Sequence, residues 1–131
     1  MMSDRYIFVN PNREGKFVGD CVIRALCVIL LLDWDSVFLR LSMLAHEMAD
    51  MMDSNVVWGR FLNIYGYIQK PVIDRGLGCY TVYDFCVDHP KGKFVLCTGT
   101  HAIAVVDGFY YDTSDVGDES VIFYYEKGTY V

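Results

Sequence analysis

Three residues able to carry out nucleophilic chemistry follow one another along the chain: Cys21, His101 and Asp112. Cys21 stands just after Gly19-Asp20 and opens the most apolar run of the sequence, within KFVGDCVIRALCVILLLDWD at 16–35. Asp20 is a residue type that caps helices through its carboxylate, which makes Cys21 the first residue of a helix. A thiol there feels the positive end of the helix dipole, and beside an imidazolium its pKa falls from about 8.5 toward roughly 3.5 to 7.5. The negative charge of Asp20 opposes this, so its carboxylate is expected to turn toward backbone N–H groups and away from sulfur. The Cys21 backbone N–H would point at an oxyanion formed on attack. Asn10 and Asn12, in the preceding loop, are the candidates for its second donor.

The stretch HAIAVVDGFYYDTSD at 101–115 supplies the base and the acid. Asp107-Gly108 is a strong two-residue hairpin turn. It pairs Val106 with Phe109, Ala104 with Tyr111, Ile103 with Asp112 and His101 with Ser114. Alternation then gives His101, Ile103 and Val105 a common face with Asp112 and Ser114, and sets His101 diagonal to Asp112 at roughly 5.5 to 8 Å. A carboxylate bridges that gap, fixes the imidazole tautomer and leaves the other ring nitrogen for the nucleophile. Ser114, opposite His101, is a candidate additional orienter.

Helices come first in the chain and strands later. A short strand at Tyr6 to Val9 and the polar loop NPNREGK lead to the helix begun by Cys21, whose nearly all-round apolar surface predicts burial on most sides. Asp33 or Asp35 caps a second helix, in which Val37, Phe38, Leu41, Leu44, Ala45 and Met48 recur at spacings of three and four. Ser54 starts a third, carrying Val57, Trp58, Phe61 and Leu62 until Gly66. Thr81 and Asp84 form a variant capping box for a short helix ending at His89-Pro90. KFVLC, HAIAVV, FYYDTS and SVIFYYE read as strands. The expectation is a single α+β domain over residues 1–131, with a central nucleophile helix packed against an antiparallel sheet.

Composition excludes several classes. A net charge of -6 with a pI near 4.8 argues against a phosphate-neutralising surface, so no nucleic-acid partner is expected. Val22 to Leu32 is interrupted by Arg24 and falls short of the roughly 20 residues of a membrane helix, so no membrane is expected either. The N-terminus lacks the apolar core of a secretory signal. Five cysteines, an odd number, predict free thiols in a reducing cytoplasm. Cys86/His89 and Cys97/His101 approach the spacing of a zinc site, but the strand between them and the helical position of Cys86 speak for packing. No metal and no cofactor are expected. Trp58 and Tyr65 are candidates to line a substrate groove, although aromatic residues at helical spacing are more often core; Cys27 and Cys79 carry no partner signal, and the acidic run Asp112, Asp115, Asp118 and Glu119 has a plain reading as a solvated loop. DRGLGC at 74–79 lacks a phosphate-cradling pattern.

GDCVIRAL resembles the nucleophile segment of papain-like cysteine peptidases, especially the Arg-Ala-Leu pattern of ovarian-tumour deubiquitinases. HAIAVVDGFYYD is similar to the histidine strand and following turn of papain and of bacteriocin-processing double-glycine peptidases. The chain as a whole resembles small papain-like proteins encoded by phages and prophages. Three features depart from papain: Gly15 stands where papain has its oxyanion glutamine, the Gln-Cys-Gly environment is absent, and so is the large second lobe. The resemblance implies a papain-like domain with Cys21 as nucleophile, His101 as general base and Asp112 as orienting acid. Its activity would be that of a thiol hydrolase or transferase acting on an amide, peptide or isopeptide bond. The alternative is a non-catalytic binding module on the same fold, such as a phage-encoded inhibitor of a host complex. The partner is accordingly a peptide or protein substrate, or a protein bound without turnover.

Overall fold

A computed structural model describes residues 4–72 and 79–128. Its elements run β1 (Tyr6–Phe8), α1 (Cys21–Leu30), α2 (Trp34–Glu47), α3 (Asn55–Ile64), β2 (Tyr67–Pro71), α4 (Val82–Asp88), β3 (Lys93–Cys97), β4 (Ala102–Val106), β5 (Phe109–Asp112) and β6 (Phe123–Lys127). The strands form one six-stranded sheet in the order β1-β5-β4-β3-β6-β2. The class is mixed α+β. The glycine-rich stretch 74–78 lies outside the described residues.

Alternation along β3 and β4 divides the apolar side chains between two core clusters. Val95, Cys97, Ala102 and Ala104 pack with α1, α2 and α3, whereas Phe94, Leu96, Ile103 and Val105 pack with Val82, Phe85 and Cys86 of α4. α1 buries seven of its ten residues, as expected of a helix that is apolar nearly all round. It is held by β4 below and α2 beside it. Leu31, in the left-handed conformation at φ 56°, ends the helix, its N–H donating to the Cys27 carbonyl.

The expected side-chain caps are present at α2 and α4 but not at α3, where Ser54 donates to Asp50 Oδ2 instead. Asp33 accepts from Ser36 N at 2.7 Å. Thr81 and Asp84 form a reciprocal capping box. Asp20 occupies the position before α1 but makes no side-chain cap. Two further expectations are corrected. The sheet is mixed, because β1 runs parallel to β5 while the other pairs are antiparallel. The chain also contains β2, an edge strand paired with β6, where the sequence analysis expects no strand. Its burial is slight and it ends in Pro71, a residue tolerated at a sheet edge.

Gly59, in the middle of α3, has a steric reason. A Cβ built there would lie 2.3 Å from the Tyr125 hydroxyl oxygen. Tyr125 also packs its ring against Trp58, at 5.5 Å between centroids. The close approach of α3 to β6 therefore fixes Trp58, a wall of the cleft described below. Alanine is the better helix former by about 1 kcal/mol, yet Gly59→Ala should destabilise the protein by roughly 1 to 3 kcal/mol through overpacking. Tyr125→Phe should relieve part of that loss, which denaturant unfolding of the two single variants and the double variant measures.

Candidate active site

The hairpin forms with the expected register: Ala104 pairs with Tyr111, Val105 with Tyr110 and Val106 with Phe109 around Asp107-Gly108. Asp107 adopts φ 50° and Gly108 φ 81°, the left-handed pair such a turn requires. Strict alternation nevertheless assigns His101 and Asp112 to the face of Ile103 and Val105, which turns away from α1. Both residues lie at strand ends, His101 just before β4 and Asp112 at the close of β5. There their side chains reach α1 instead. His101 Nε2 hydrogen-bonds Asp112 Oδ2, and the imidazole lies beside the Cys21 thiol, close enough to bias its ionisation.

Cys21, His101 and Asp112 are thus brought together. The Ala102 backbone N–H also favours the ionised sulfur. Burial pushes the Cys21 thiol up, but the hydrogen bond from His101, the Ala102 amide and the charges of His101 and Arg24 outweigh it, and the net shift is downward. His101 is raised to about 10, first by its bond to Asp112, then by its bond to Cys21, against the effect of burial. Asp112 is 2% exposed. Burial raises its pKa, and the bond and charge of His101, then Arg24 and the Thr113 amide, reverse this and hold it low. These directions describe a thiolate–imidazolium pair anchored by a carboxylate.

Other cysteines lack these partners. Cys27 and Cys86 are each pushed up to about 12, by burial above all. Burial also raises Cys97. Cys86 lies in the α4 cluster and Cys97 in the α1 cluster, on opposite faces of the sheet, so the zinc spacing does not close in space. His89 stacks on Phe85, at 3.8 Å between ring centroids, and bonds the Phe85 carbonyl. Among the described residues no group of three or more His, Cys, Asp or Glu side chains is placed to hold a metal.

Asn10 and Asn12 are placed elsewhere. Asn10 Nδ2 donates to the Lys16 carbonyl at 3.2 Å, and Asn12 Oδ1 accepts from Glu14 N at 2.9 Å and Lys16 N at 3.2 Å. Both side chains are occupied in folding their own loop, and neither lines the cleft over Cys21. Ser114 is exposed, and the neighbour that holds Asp112 is Thr113, whose N–H donates to Oδ1 at 2.6 Å. The acidic run is also divided: Asp112 is buried, Asp115 bonds the Tyr110 hydroxyl, and Glu119 accepts from Thr98 Oγ1 at 2.9 Å.

Sequence reasoning missed Arg24. It is 5% exposed and lies between two carboxylates, 3.3 Å from Asp112 Oδ1 and 3.4 Å from Asp20 Oδ1. Trp34 Nε1 donates to the other Asp20 oxygen at 2.9 Å. The Asp20 carboxylate therefore faces Arg24 and Trp34 and does not cap α1. An available signal was the arginine itself, a charge inside an apolar helix that has to find buried carboxylates.

A cleft of about 680 Å³ opens over Cys21 and His101. Gly19, Thr100, Met52 and Trp58 contribute to its walls. No family model, curated protein or solved structure matches the chain.

Thiol chemistry checks the electrostatics without a substrate. Cys21 should be alkylated by iodoacetamide well before Cys27, Cys86 and Cys97, with an acidic limb below the ordinary thiol range, because its pKa alone among these four is lowered. Peptide mapping after brief labelling at mildly acidic pH reads the order. Even labelling of these four thiols would remove the activated-thiol assignment.

Proposed function

We propose that the chain is a papain-like thiol hydrolase or transferase that acts on an amide, peptide or isopeptide bond through Cys21, His101 and Asp112. The observation that carries this reading is the gathering, at one cleft, of the Cys21 thiol and an imidazole that the buried Asp112 carboxylate holds. The Cys21 thiolate attacks the carbonyl carbon and forms a C–S bond, placing negative charge on the carbonyl oxygen. The backbone N–H of Cys21, at the start of α1 and without a side-chain cap from Asp20, is a donor suited to that oxyanion. His101 then gives its proton to the leaving nitrogen as the C–N bond breaks, leaving a thioester and a free amine. In deacylation the neutral imidazole takes a proton from water or an acceptor amine, whose attack releases the acyl group and restores the thiolate–imidazolium pair. Asp112 holds the ring and its charge throughout.

The substrate is a peptide or protein segment, for which the partly apolar cleft, with Met52 and Trp58 among its walls, offers packing surface. The chain carries free cysteines at Cys21, Cys27, Cys79, Cys86 and Cys97. Unpaired thiols fit action in a reducing cytoplasm. The second reading, a papain-like module that binds a protein without turnover, is favoured by one observation: Asn10 and Asn12 are bonded within their loop and do not complete an oxyanion hole.

His101→Ala separates these readings. In an enzyme it should lower turnover in a peptide-amide and ester screen by roughly 10²- to 10⁴-fold, and should move the alkylation limb of Cys21 up toward about 8.5. Asp112→Asn should cost less, because an amide oxygen still accepts from the ring. Wild-type protein with an activated Cys21 but no acyl-thioester detectable by intact mass spectrometry would favour the binding module. An alkylation profile that His101→Ala leaves in place would remove the catalytic pair altogether.

A further inference from the structure

We propose that Arg24 is a positioning residue for the Cys21–His101 pair, a clamp on Asp112 that directs the second carboxylate oxygen at the imidazole, itself held in place by Asp20 and Trp34. The inference deepens the proposed function and rests on that reading of the triad. Asp112 has two oxygens with different duties. Oδ2 meets His101, while Oδ1 collects Arg24 Nη1 at 3.3 Å, the Thr113 N–H at 2.6 Å and the Thr113 hydroxyl at 3.3 Å. Rotation of the carboxyl about its last torsion would exchange these partners, and Arg24 with Thr113 opposes that rotation.

The guanidinium has a second hold. Its Nη2 lies 3.4 Å from Asp20 Oδ1, one helical turn back, and Asp20 Oδ2 is tied to Trp34 at the start of α2. A chain of polar contacts therefore runs from Trp34 through Asp20, Arg24 and Asp112 to His101 beside Cys21, joining α1, α2 and the sheet. All three charged side chains at its centre are buried, with Asp20 6%, Arg24 5% and Asp112 2% exposed. Among the described residues Arg24 Nε finds no hydrogen-bond partner, so the burial of this cation is incompletely compensated. A purely structural position would be filled at lower cost by an apolar residue like its neighbours Ile23 and Ala25.

Arg24 also acts on the thiol through its charge. The charged and titratable groups around Cys21 are Asp20 just before α1, Arg24 on α1, Asp53 along the cleft, Cys97 on β3, and His101 with Asp112. Arg24 lowers the Cys21 pKa directly and, by bonding Asp112, keeps the carboxylate aligned on the ring whose proton stabilises the thiolate. Both effects have one sign. Loss of the guanidinium should therefore move thiolate formation to higher pH.

The test compares Arg24→Met with Asp20 replaced by Asn in the same chain, so that no carboxylate at position 20 is stranded, against Asp20→Asn alone, Arg24→Lys and His101→Ala. The pH profile of Cys21 alkylation should shift upward by about one unit in the double variant, a tenfold slower reaction on the acidic limb. Arg24→Lys, which returns a cation without the two-armed geometry, should recover part of that shift. Asp20→Asn alone, which keeps an amide oxygen for Arg24, should shift the profile less than the double variant does. Circular dichroism and thermal unfolding establish that each variant is folded. If the double variant does not fold, Arg24→Lys decides by itself: a shift of several tenths of a unit supports the clamp and an unmoved profile overturns it. A profile moved by His101→Ala but not by the folded Arg24 variants overturns the role of Arg24 and leaves the proposed function standing. If His101→Ala moves nothing, the triad reading fails and the clamp falls with it.

Discussion

The interaction on which the site depends is a buried carboxylate shared between two cations. Asp112 sits at the end of β5 with almost no exposure and touches both Arg24 and His101. An ionised carboxylate withdrawn from water is costly, and it is retained only where its lone pairs are filled. Here the imidazolium, the guanidinium and the Thr113 amide fill them. The consequences spread outward. The carboxylate favours the proton on His101, that imidazolium favours ionisation of Cys21, and the cation on α1 ties the helix that carries the thiol to the strand that carries the acid.

The rest of the fold keeps these groups in register. α1 is gripped on most sides, with Leu26 and Ile29 almost wholly buried among side chains of the sheet and of the neighbouring helices. Burial of that extent fixes both the rotation of the helix about its axis and its position along it, since side chains interdigitate at crystal-like density. Cys21 and Arg24, three residues apart, lie on one face of α1. One orientation of the helix therefore presents the thiol to His101 and the guanidinium to Asp112 together. The hairpin provides the complementary rigidity, because a two-residue turn with both residues at positive φ fixes the register of β4 against β5.

Much of this was legible in the sequence, and the failures have physical causes. The turn at Asp107-Gly108 and the caps at Asp33 and Thr81 are local chemistry, determined by residues a few positions apart, and the structure has them as expected. Proximity of His101 to Asp112 followed from the turn alone. Their face did not, because alternation holds within a paired strand and fails at its ends, where the backbone is free to turn the side chain over the edge. Asp20 was misread for a related reason. Helix-cap statistics describe a carboxylate with only its own backbone for company, and a buried guanidinium with an indole N–H competes better. β2 and the parallel pairing of β1 are tertiary facts, set by which edges remain open after the hairpins have formed, and a short exposed strand carries little periodicity to announce itself.

Cys27 shows what activates Cys21. Both thiols belong to α1, six positions apart, Cys27 buried and Cys21 partly so. Burial raises each of them, yet Cys27 ends near 12 and Cys21 ends below an ordinary thiol. Withdrawal from solvent is therefore not what makes a thiolate, and neither is membership of this helix. The difference lies in the surroundings at the two positions. Around Cys27 the charges that act are the carboxylates of Asp33 and Asp20, whereas Cys21 has an imidazole, a backbone N–H and a guanidinium. The same desolvation that suppresses one thiol strengthens the partners of the other, because hydrogen bonds and ion pairs gain as the local dielectric falls. Activation at Cys21 is thus a property of the sheet edge brought against the helix start, where the carboxylate of Asp112 decides which protonation state of His101 the thiol meets.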